Sequence, residues 1–307
     1  MFIVKNRKIF YSLSAVLVIA SAIALFVWGL NLGIDFKGGS LLEVGYPDGR
    51  PDSSFVKTEL NKLSLGDYSI RPAGENSFII RMREVSESEK SQVLSAVSLG
   101  GKNKIEEKRF DSIGPLLGAE AGKKALVSIS LVIICIILFI AFAFRKVSEP
   151  VSSWKYGFMA VLALVHDIAI PIGVFAVLGH FLGYEIDTLF VTALLVILGF
   201  SVHDTIVVFD RVRENLKLNR ELKLKKDFET VVGESVNQTF VRSVNTSLTT
   251  LLALFVLYFI GAEATKHFSL VLIIGITAGT YSSIFLASTL LVTLEKFQRR
   301  KLADKIP

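Results

Sequence analysis

The sequence predicts a polytopic α-helical membrane protein with six transmembrane helices and a small α+β domain between the first two. Of its 307 residues, 51% are hydrophobic, and the mean hydropathy of +0.55 exceeds that of an ordinary soluble protein. Six apolar stretches reach the ~20 residues that a helix needs to span a bilayer. One long polar segment, residues 31–124, follows the first of these stretches.

The predicted spans follow the apolar runs. They are residues 9–30, 125–144, 156–178, 188–209, 240–260 and 268–294. Lys5, Arg7 and Lys8 precede the first run, as in a secretory signal, but the run continues to Leu30, so we predict an uncleaved anchor. The chain then divides into residues 1–30, the outer segment 31–124, the bundle 125–294 and a basic tail, 295–307.

Basic residues concentrate on one side of the predicted membrane. They precede the first span, fill the segments between spans two and three and between spans four and five, and follow the sixth span. The short segments on the other side, residues 180–187 and 261–266, carry acidic residues and almost no base. By the positive-inside rule, both termini lie in the cytoplasm and residues 31–124 lie outside the inner (cytoplasmic) membrane.

The outer segment alternates strand and helix patterns. Strands are predicted at residues 41–46, 68–71, 78–83 and 104–110, and helices at residues 53–63 and 86–97. The order βαββαβ is typical of a ferredoxin-like sandwich, and Asp52 or Ser53 fits the N-cap of its first helix. The segment has no metal-ligand spacing, nucleophile motif or phosphate loop, so we expect a binding or lever domain rather than a reaction centre.

Cysteine usage limits the chemistry further. Cys135, the one cysteine, lies in an apolar run, which excludes an intrachain disulfide and a Cys-rich metal site. We expect no metal, no other cofactor and no nucleic-acid partner.

The basic segment 211–236 carries apolar residues at helical spacing. They are Val212, Leu216, Leu224, Phe228, Val231 and Val232. The pattern predicts a cytoplasmic amphipathic helix that lies along the inner membrane surface. A solvated, charged linker helix fits the same pattern equally well.

Ionisable residues lie inside three predicted spans. An Asp or Arg at the centre of a span costs about 2.5–3.5 kcal/mol, so each is expected to face the bundle interior and find a partner. Asp204 in span four and Arg242 in span five lie roughly 9 Å and roughly 6 Å from the same membrane face at the helical rise. A hydrogen-bonded pair is predicted if these helices touch. The alternative is a pair that only fixes helix register.

Further polar and small residues accompany this pair. The polar residues expected to support it are His203, Thr205, Asp167, His166, Thr246 and Thr249. His166 is expected to be a hydrogen-bonding core residue rather than a titrating one. A small residue recurs at every fourth position of span six, at Gly275, Gly279, Ser283 and Ala287, which predicts close approach of another helix.

Several motifs resemble the SecD/SecF family of protein translocase subunits. The segment GIDFKGG is similar to the family signature G-I-D-F-x-G-G, which falls here on Gly33, Asp35, Phe36, Gly38 and Gly39. Further segments resemble the family at residues 112–126, 199–215, 237–254 and 275–288. Together they cover nearly the whole chain in order, and the small outer segment resembles the SecF branch of the family.

The resemblance implies one six-helix half of the RND superfamily. It implies a complex with a SecD-like subunit in the lipid bilayer, docking on the SecYEG channel, contact with a translocating polypeptide, and protons as the coupling ion. An aspartate of the fourth span and an arginine of the fifth are implicated in proton passage in that family, and they correspond to Asp204 and Arg242. The residue before the aspartate is often Asn in the family and is His203 here.

Three other functions remain open at this point. An RND-type small-molecule exporter half is disfavoured because the outer domain leaves little room for a ligand pocket. An intramembrane aspartyl protease that uses Asp167 and Asp204 is disfavoured because no G-x-G-D motif is present. A passive scaffold that stabilises the SecD-like partner predicts that Asp204 and Arg242 tolerate substitution.

Overall fold

The computed structural model describes residues 2–143 and 153–303, and six helices in these ranges are long and apolar enough to cross a membrane. The helices are α1 (Phe2–Lys5), α2 (Arg7–Trp28), α3 (Ile34–Lys37), α4 (Ser53–Leu60), α5 (Glu87–Val97), α6 (Pro115–Ala143), α7 (Ser153–Leu182), α8 (Thr188–Glu221), α9 (Phe228–Ile260), α10 (Glu263–Tyr281) and α11 (Ser288–Ala303). A π-helical segment, Ser282–Ala287, joins α10 to α11, so these three pieces form the sixth long helix. The predicted residue 144 and the end of the tail, 304–307, lie outside the described residues.

The chain divides into two compact units. One contains the described residues of 1–31, 128–184 and 189–307, and the other contains residues 32–127 together with the short loop 185–188. The sequence predicted an outer segment of nearly the same extent but did not associate the loop with it. The association is local, because Leu32 forms a β-bridge with Ile186, and the Gly33 N–H donates to the Ile186 carbonyl at 2.9 Å.

The second unit is a four-stranded antiparallel sheet with two helices. Its strands are β1 (Gly39–Gly45), β2 (Ser69–Ala73), β3 (Ser77–Met82) and β4 (Glu106–Ile113), in the spatial order β2-β3-β1-β4. With α4 and α5 inserted, the chain order is the predicted βαββαβ, and the ferredoxin-like topology is confirmed.

The sheet closes over a core supplied by alternate residues of its central strands. Leu42 and Val44 of β1 and Ile80 of β3 are fully buried, because successive side chains of a strand point to opposite faces. Val56 of α4 and Val93 of α5 are buried in the same core. The two helices therefore cover one face of the sheet.

Side-chain caps begin both helices of this unit. The Asp52 carboxylate accepts from the Ser54 N–H at 2.8 Å, so Asp52 rather than Ser53 is the N-cap of α4. Ser86 and Glu89 form a reciprocal capping box at the start of α5. Hydrogen bonds from Arg83 and from Ser86 lower the pKa of Glu89 to about 2.

The membrane unit has one hydrophobic core, to which several long helices contribute. Its buried residues include Ile140 of α6, Tyr156 of α7, Phe209 of α8, Val232 of α9 and Leu291 of α11. The third and sixth long helices are the most buried, whereas the second, α6, exposes most of its apolar side chains. The sixth long helix is therefore central to the unit, and α6 lies at its periphery.

The predicted amphipathic segment 211–236 is not a separate surface helix. α8 continues to Glu221 and α9 begins at Phe228, so the segment consists of two helix ends joined by a turn. Five of its six apolar residues are buried in the bundle core: Val212, Leu216, Phe228, Val231 and Val232. The prediction was wrong because helical apolar spacing does not reveal whether the apolar face meets lipid or a neighbouring helix.

Substitutions in this helical hairpin, formed by the end of α8, the turn and the start of α9, distinguish packing in the bundle core from a helix on the membrane surface. Phe228→Ala is expected to destabilise the protein by about 3–5 kcal/mol, because it empties a buried site. Leu224→Ala is the matched control, since Leu224 is 49% exposed in the turn. Thermal unfolding in detergent should show a large decrease in midpoint for the first variant and little change for the second. Equal decreases would instead support a surface helix that uses both residues.

The capping box predicts an acid-dependent loss of stability in the second unit. Because the folded-state pKa of Glu89 is lowered from 4.5 to about 2, folding favours the ionised form. Its contribution is complete above the unfolded pKa and is lost as the pH falls from about 4.5 towards 2. Glu89→Gln should remove this dependence, so its difference in stability from the parent chain should shrink across that range. Unfolding followed by circular dichroism at several pH values tests this, and a pH-independent difference would contradict it.

Candidate functional site

The centre of α7 carries a fully buried carboxylate. Asp167 lies at the middle of the 30-residue helix Ser153–Leu182, about 22 Å from either end at the helical rise. Its Oδ1 lies 2.9 Å from Nδ1 of His166, and its Oδ2 accepts hydrogen bonds from Ser282, at 2.7 Å, and from Ser201. One side chain therefore connects α7 to α8 and to the π-helical segment.

Small residues allow the helices to meet around Asp167. A Cβ atom added to Gly279 would lie 3.0 Å from Cβ of Ser201, and one added to Gly275 would lie 2.1 Å from Cδ1 of Ile197. The predicted small-residue stripe of the sixth span thus begins at a close contact with α8. Larger side chains at these two positions would separate α8 from the sixth long helix and break the bonds to Asp167.

The rest of that stripe lies in the π-helical segment. Ser283 and Ala287 are fully buried. Oγ of Ser283 lies 2.9 Å from Oγ1 of Thr205 and donates to the Ser201 carbonyl at 3.3 Å. The wider π turn brings the adjacent hydroxyls of Ser282 and Ser283 into the interior together, an irregularity that recurs at functional sites.

Asp204 follows Ser201 by one turn on α8 and is 3% exposed. Its Oδ2 has no hydrogen-bond partner among the residues that the structure describes. The Ser243 hydroxyl of α9 lies beside this carboxyl group and also has no partner there. The neighbouring His203 is exposed. α8 thus carries a buried acid with unused hydrogen-bonding capacity.

The predicted ion pair between Asp204 and Arg242 is not formed. Arg242 is exposed and lies within electrostatic range of Asp204, but no ion pair joins the two side chains in the described residues. Similar depth did not guarantee contact, because Ser243, the next residue of α9, is the one that faces Asp204, and successive residues of a helix point about 100° apart. The predicted pairing therefore needs a rotation of α9 or a change in the Arg242 side-chain conformation.

The threonine hydroxyls after Arg242 donate to backbone carbonyls of their own helix, α9. Oγ1 of Thr246 donates to the Arg242 carbonyl at 2.9 Å, and Oγ1 of Thr249 donates to the Thr246 carbonyl at 2.8 Å. Thr249 is exposed and Thr246 is half-buried. These hydroxyls have acceptors within their own helix, so the threonine stripe presents a mildly polar surface beside Arg242.

A cleft of about 450 Å³ opens beside Arg242, between the later part of α8 and the start of α9. Its lining is polar, with Asp210, Glu214 and Gln238 among the residues. Arg211 donates to Gln238 at 2.6 Å and to Glu214 at 2.5 Å, which holds the cleft wall in place. The cleft begins at Ile206, two residues after Asp204 on the same helix.

The family-like signature joins the start of α8. Oδ2 of Asp35 accepts the backbone N–H of Thr188, the first residue of α8, at 2.8 Å. The Gly33 N–H donates a hydrogen bond to the Ile186 carbonyl, two residues before Thr188. Glu185 in the same loop lies 2.7 Å from Nε of Arg81, and burial raises the pKa of its carboxyl group. The signature thus fixes the loop that leads into the helix carrying Asp204.

The glycines of the signature permit close packing. Gly38 and Gly39 have φ of +77° and +125°, and a Cβ on Gly38 would lie 2.6 Å from Cα of Pro115. A Cβ on Gly118 would lie 3.1 Å from the backbone of Phe36, so the two predicted motif segments pack against each other. A residue larger than glycine at Gly38 or Gly118 would clash with backbone atoms, which cannot move aside easily.

Sequence reasoning missed Ser243 and Ser282, which complete the site together with Ser201. Ser201, Ser243 and Ser282 are each at most 1% exposed and face Asp167 or Asp204. Ser201 and Asp204 share a helix face at i and i+3, a spacing visible in the sequence. Ser282 gave no such signal, since its inward direction depends on the π turn. The described residues contain no group of three or more His, Cys, Asp or Glu side chains that could hold a metal ion.

Comparison with known proteins agrees with this arrangement. A family model described as "Protein export membrane protein SecD/SecF, C-terminal" matches residues 93–297, and one described as "SecD/SecF GG Motif" matches residues 23–46. The second match contains the whole signature segment 33–39. The matches therefore include both the bundle polar residues and the glycines that approach the start of α6.

Relatives that match nearly the whole chain are protein translocase subunits named SecF. The protein translocase subunit SecF of Thermobaculum terrenum is 43% identical over 95% of this chain and 93% of its own length. SecF of Anaerolinea thermophila is 35% identical over 97% of this chain and 95% of its own length. The crystal structure of SecDF from Thermus thermophilus superposes with a TM-score of 0.82 at 29% identity, over 95% of this chain. This chain spans only 38% of the length of that SecDF chain.

The six long apolar helices and these full-length relatives make the protein a multi-pass membrane protein. The relatives are protein translocase subunits, which favours that class over a small-molecule exporter. On the family match over two thirds of the sequence and the identity over nearly all of it, the chain belongs to the SecD/SecF family, in its SecF branch.

Proposed function

We propose that this chain is the SecF-type subunit of a protein-export complex and couples proton movement through its bundle to late steps of polypeptide translocation. It would act with a SecD-like subunit and the SecYEG channel. The observation that carries the proposal is Asp204, a carboxylate that is 3% exposed at the middle of α8 and has an unpaired oxygen. A proton is the ligand that such a group takes up most directly.

Protonation changes the balance of forces on Asp204. As an ion, it is costly in a low-dielectric bundle and attracts Arg242 on the neighbouring helix. As a neutral acid, it loses that attraction and can donate a hydrogen bond to Ser243. The two states thus favour different positions of α9 relative to α8. One proton that falls through 100 mV supplies about 2.3 kcal/mol, enough to shift a two-state equilibrium substantially.

The cleft beside Arg242 provides a route for release. It starts at Ile206, about one half-turn beyond Asp204, and continues past Asp210 and Glu214 towards the ends of the helical hairpin. Its polar lining suits water. In this proposal, the proton leaves Asp204 towards this cleft when Arg242 approaches the carboxylate and stabilises its ionised form.

The orientation in the membrane follows from charge. Glu229 at the start of α9 lies 2.6 Å from Arg7 and also pairs with Lys296, so the start of α2, the start of α9 and α11 share one end of the bundle. These basic residues mark the cytoplasmic side by the positive-inside rule. The termini then lie in the cytoplasm, the sheet unit lies outside an inner membrane, and the cleft opens inward.

α8 supplies the mechanical connection. It runs without interruption from Thr188, which Asp35 caps, past Asp204 and into the cleft wall. Residues 185–188, which include the first residue of α8, belong to the outer unit, so in this proposal a shift of α8 would also move that loop. The outer unit would hold and release an emerging polypeptide as the bundle takes up and releases protons.

The exposed polar residues of α9 favour a partner subunit. Arg242, Asn245 and Thr249 are exposed in a single chain, at positions within a membrane-spanning helix. Such residues are costly against lipid and are expected to face protein or water. The similar solved structure is that of SecDF, which supports a SecD-like subunit as the cover for this surface.

The protease alternative is not favoured by the geometry. An aspartyl protease needs two carboxyl groups that share a proton. In the described residues, Asp167 forms hydrogen bonds with His166, Ser201 and Ser282, and none with Asp204. The scaffold alternative differs from the proposal only in its tolerance of substitutions, and the next experiment separates the two.

Asp204→Asn should abolish proton-dependent export, because an amide side chain does not take up or release a proton near neutral pH. We expect at least a tenfold decrease in the export of a secretory polypeptide into vesicles that contain the complex with its SecD-like partner. Proton flux in the same vesicles should fall in parallel. Assembly, followed by co-purification of the partner, should be unchanged because Asn has nearly the shape of Asp.

Glu221→Gln is the matched control. It removes the same charge from the same helix, but Glu221 is exposed at the helix end and far from the carboxyl site. Export and flux should stay at the parent level in this variant. A wild-type rate of export in Asp204→Asn, with assembly intact, would favour the passive scaffold.

A further inference from the structure

The His166–Asp167 pair has a feature that the mechanism above does not use. Both side chains are at most 3% exposed, and Nε2 of His166 has no hydrogen-bond partner in the described part of the chain. The sequence favoured a simple core role for His166, yet one ring nitrogen is buried and unsatisfied. An unpaired polar atom in a membrane interior is costly unless it binds a ligand.

Charge balance indicates what the ligand is. The only ionic contact of Asp167 among the described residues is the one with His166, at 2.9 Å. With a neutral imidazole, the pair has a net charge of −1 at the middle of a membrane helix. One added proton on Nε2 gives an imidazolium beside a carboxylate, with no net charge, and this removes most of the cost of burial.

We propose that His166 and Asp167 form a second proton-binding site in the bundle, in which Nε2 of His166 receives the proton and the Asp167 carboxylate balances the imidazolium charge. The proposal rests on the proposed proton-coupled function and extends it to another helix. The step is a simple proton transfer: an N–H bond forms at Nε2, and the donor, water or a neighbouring acid, loses its proton.

The surroundings fix the orientation that this step needs. The Nδ1–H of the neutral ring donates to Oδ1 of Asp167, which leaves the Nε2 lone pair free to accept a proton. The hydroxyls of Ser201 and Ser282 donate to Oδ2 of the same carboxylate and hold it still. The arrangement of imidazole and carboxylate is that of a His–Asp dyad, in which the acid sets the tautomer and supports the protonated ring.

Few other ionisable groups face the pair. From the sixth long helix, the ring of Tyr281 stacks on His166 with centroids 6.0 Å apart, and its hydroxyl donates to the Phe10 carbonyl of α2 at 2.8 Å. From α8, Ser201 contacts Asp167, and Asp204 follows one turn later. From α2, Ser14 donates to the Tyr281 hydroxyl at 3.4 Å. None of these groups is a fixed cation, and a proton on His166 would supply the balancing positive charge.

Proton uptake here would act on helix packing. The Asp167 hydrogen bonds hold α8 and the π-helical segment together, and Ser282 has a second acceptor, the Gly279 carbonyl at 3.1 Å. When the imidazolium takes over more of the carboxylate charge, the Ser282 hydroxyl can turn to Gly279. The hydrogen bond from Ser201 to Asp167, one turn before Asp204 on α8, would then weaken as well. The two proton sites are thereby coupled through α8.

The test observes the imidazole ring directly. The complex with its SecD-like partner, labelled with ¹⁵N at histidine, is placed in liposomes, and solid-state NMR follows the ring nitrogens between about pH 5 and 8, where histidine ordinarily titrates. The chain has four histidines, and His166→Gln assigns the signal of interest. We expect a doubly protonated His166 ring at the acid end and an Nδ1-protonated neutral ring at the other end.

Asp167→Asn is the decisive variant, and His180→Gln is its control. The isosteric amide keeps the shape but not the charge, so the doubly protonated signal of His166 should disappear throughout the range. His180 is exposed near the end of α7, and its loss should leave the His166 signal unchanged. Partner co-purification reports folding of each variant.

Two results would overturn the proposal: a His166 ring that stays neutral throughout in the parent chain, or a doubly protonated ring that persists in Asp167→Asn. Neither result bears on Asp204, whose role is judged by export and flux. Conversely, normal export in Asp204→Asn would reject the proposed function and leave the ring titration as a separate finding.

Discussion

Two carboxyl groups buried in the membrane bundle, Asp167 and Asp204, have no lysine or arginine ion-pair partner among the described residues. Burying a carboxylate without a cation in a low-dielectric region is expensive, and proteins meet that cost by protonation or by hydrogen bonds. Asp167 is satisfied by three hydrogen bonds, and Asp204 keeps one free oxygen. The close contacts at Gly275 and Gly279 are consequences of the same constraint, because only small residues allow α8 to reach the sixth long helix.

α8 is the element on which these features converge. Asp35 caps its first residue, Ser201 bonds Asp167, Asp204 lies at its middle, and the residues after it line the polar cleft. The family signature contacts the loop 185–188, from which this helix begins, through Gly33 and Asp35.

Much of the architecture could be predicted from the sequence. Long apolar runs identify spans because a bilayer demands length and hydrophobicity together. The βαββαβ order followed from local patterns and turns. The end of α8 could not be predicted in this way, because Val212 and Leu216 are equally compatible with a lipid surface and with a helix neighbour. The unformed ion pair of Arg242 in the described residues and the hydrogen bond of Ser282 to Asp167 could not be predicted either, since the first depends on helix rotation and the second on a π turn.

The relation between the two acids is the least expected feature. Sequence reasoning joined Asp204 to Arg242 by depth and by family resemblance, and it gave Asp167 a supporting role. In the described residues, the structure instead shows no ion pair between Arg242 and Asp204 and gives Asp167 hydrogen bonds to His166, Ser201 and Ser282. In the two proposals, Asp204 and the His166–Asp167 pair can each take up one proton, whereas a fixed ion pair takes up none.

Infrared difference spectroscopy of the complex in lipid tests the central claim most directly, because a protonated carboxyl group has a C=O stretching band that an ionised one lacks. The account predicts such a band near neutral pH, a downshift of the band in D₂O, and its loss in Asp204→Asn. A spectrum without a protonated carboxyl band, or a band that Asp204→Asn leaves intact, would mean that the buried acid remains ionised and that the bundle balances its charge in another way.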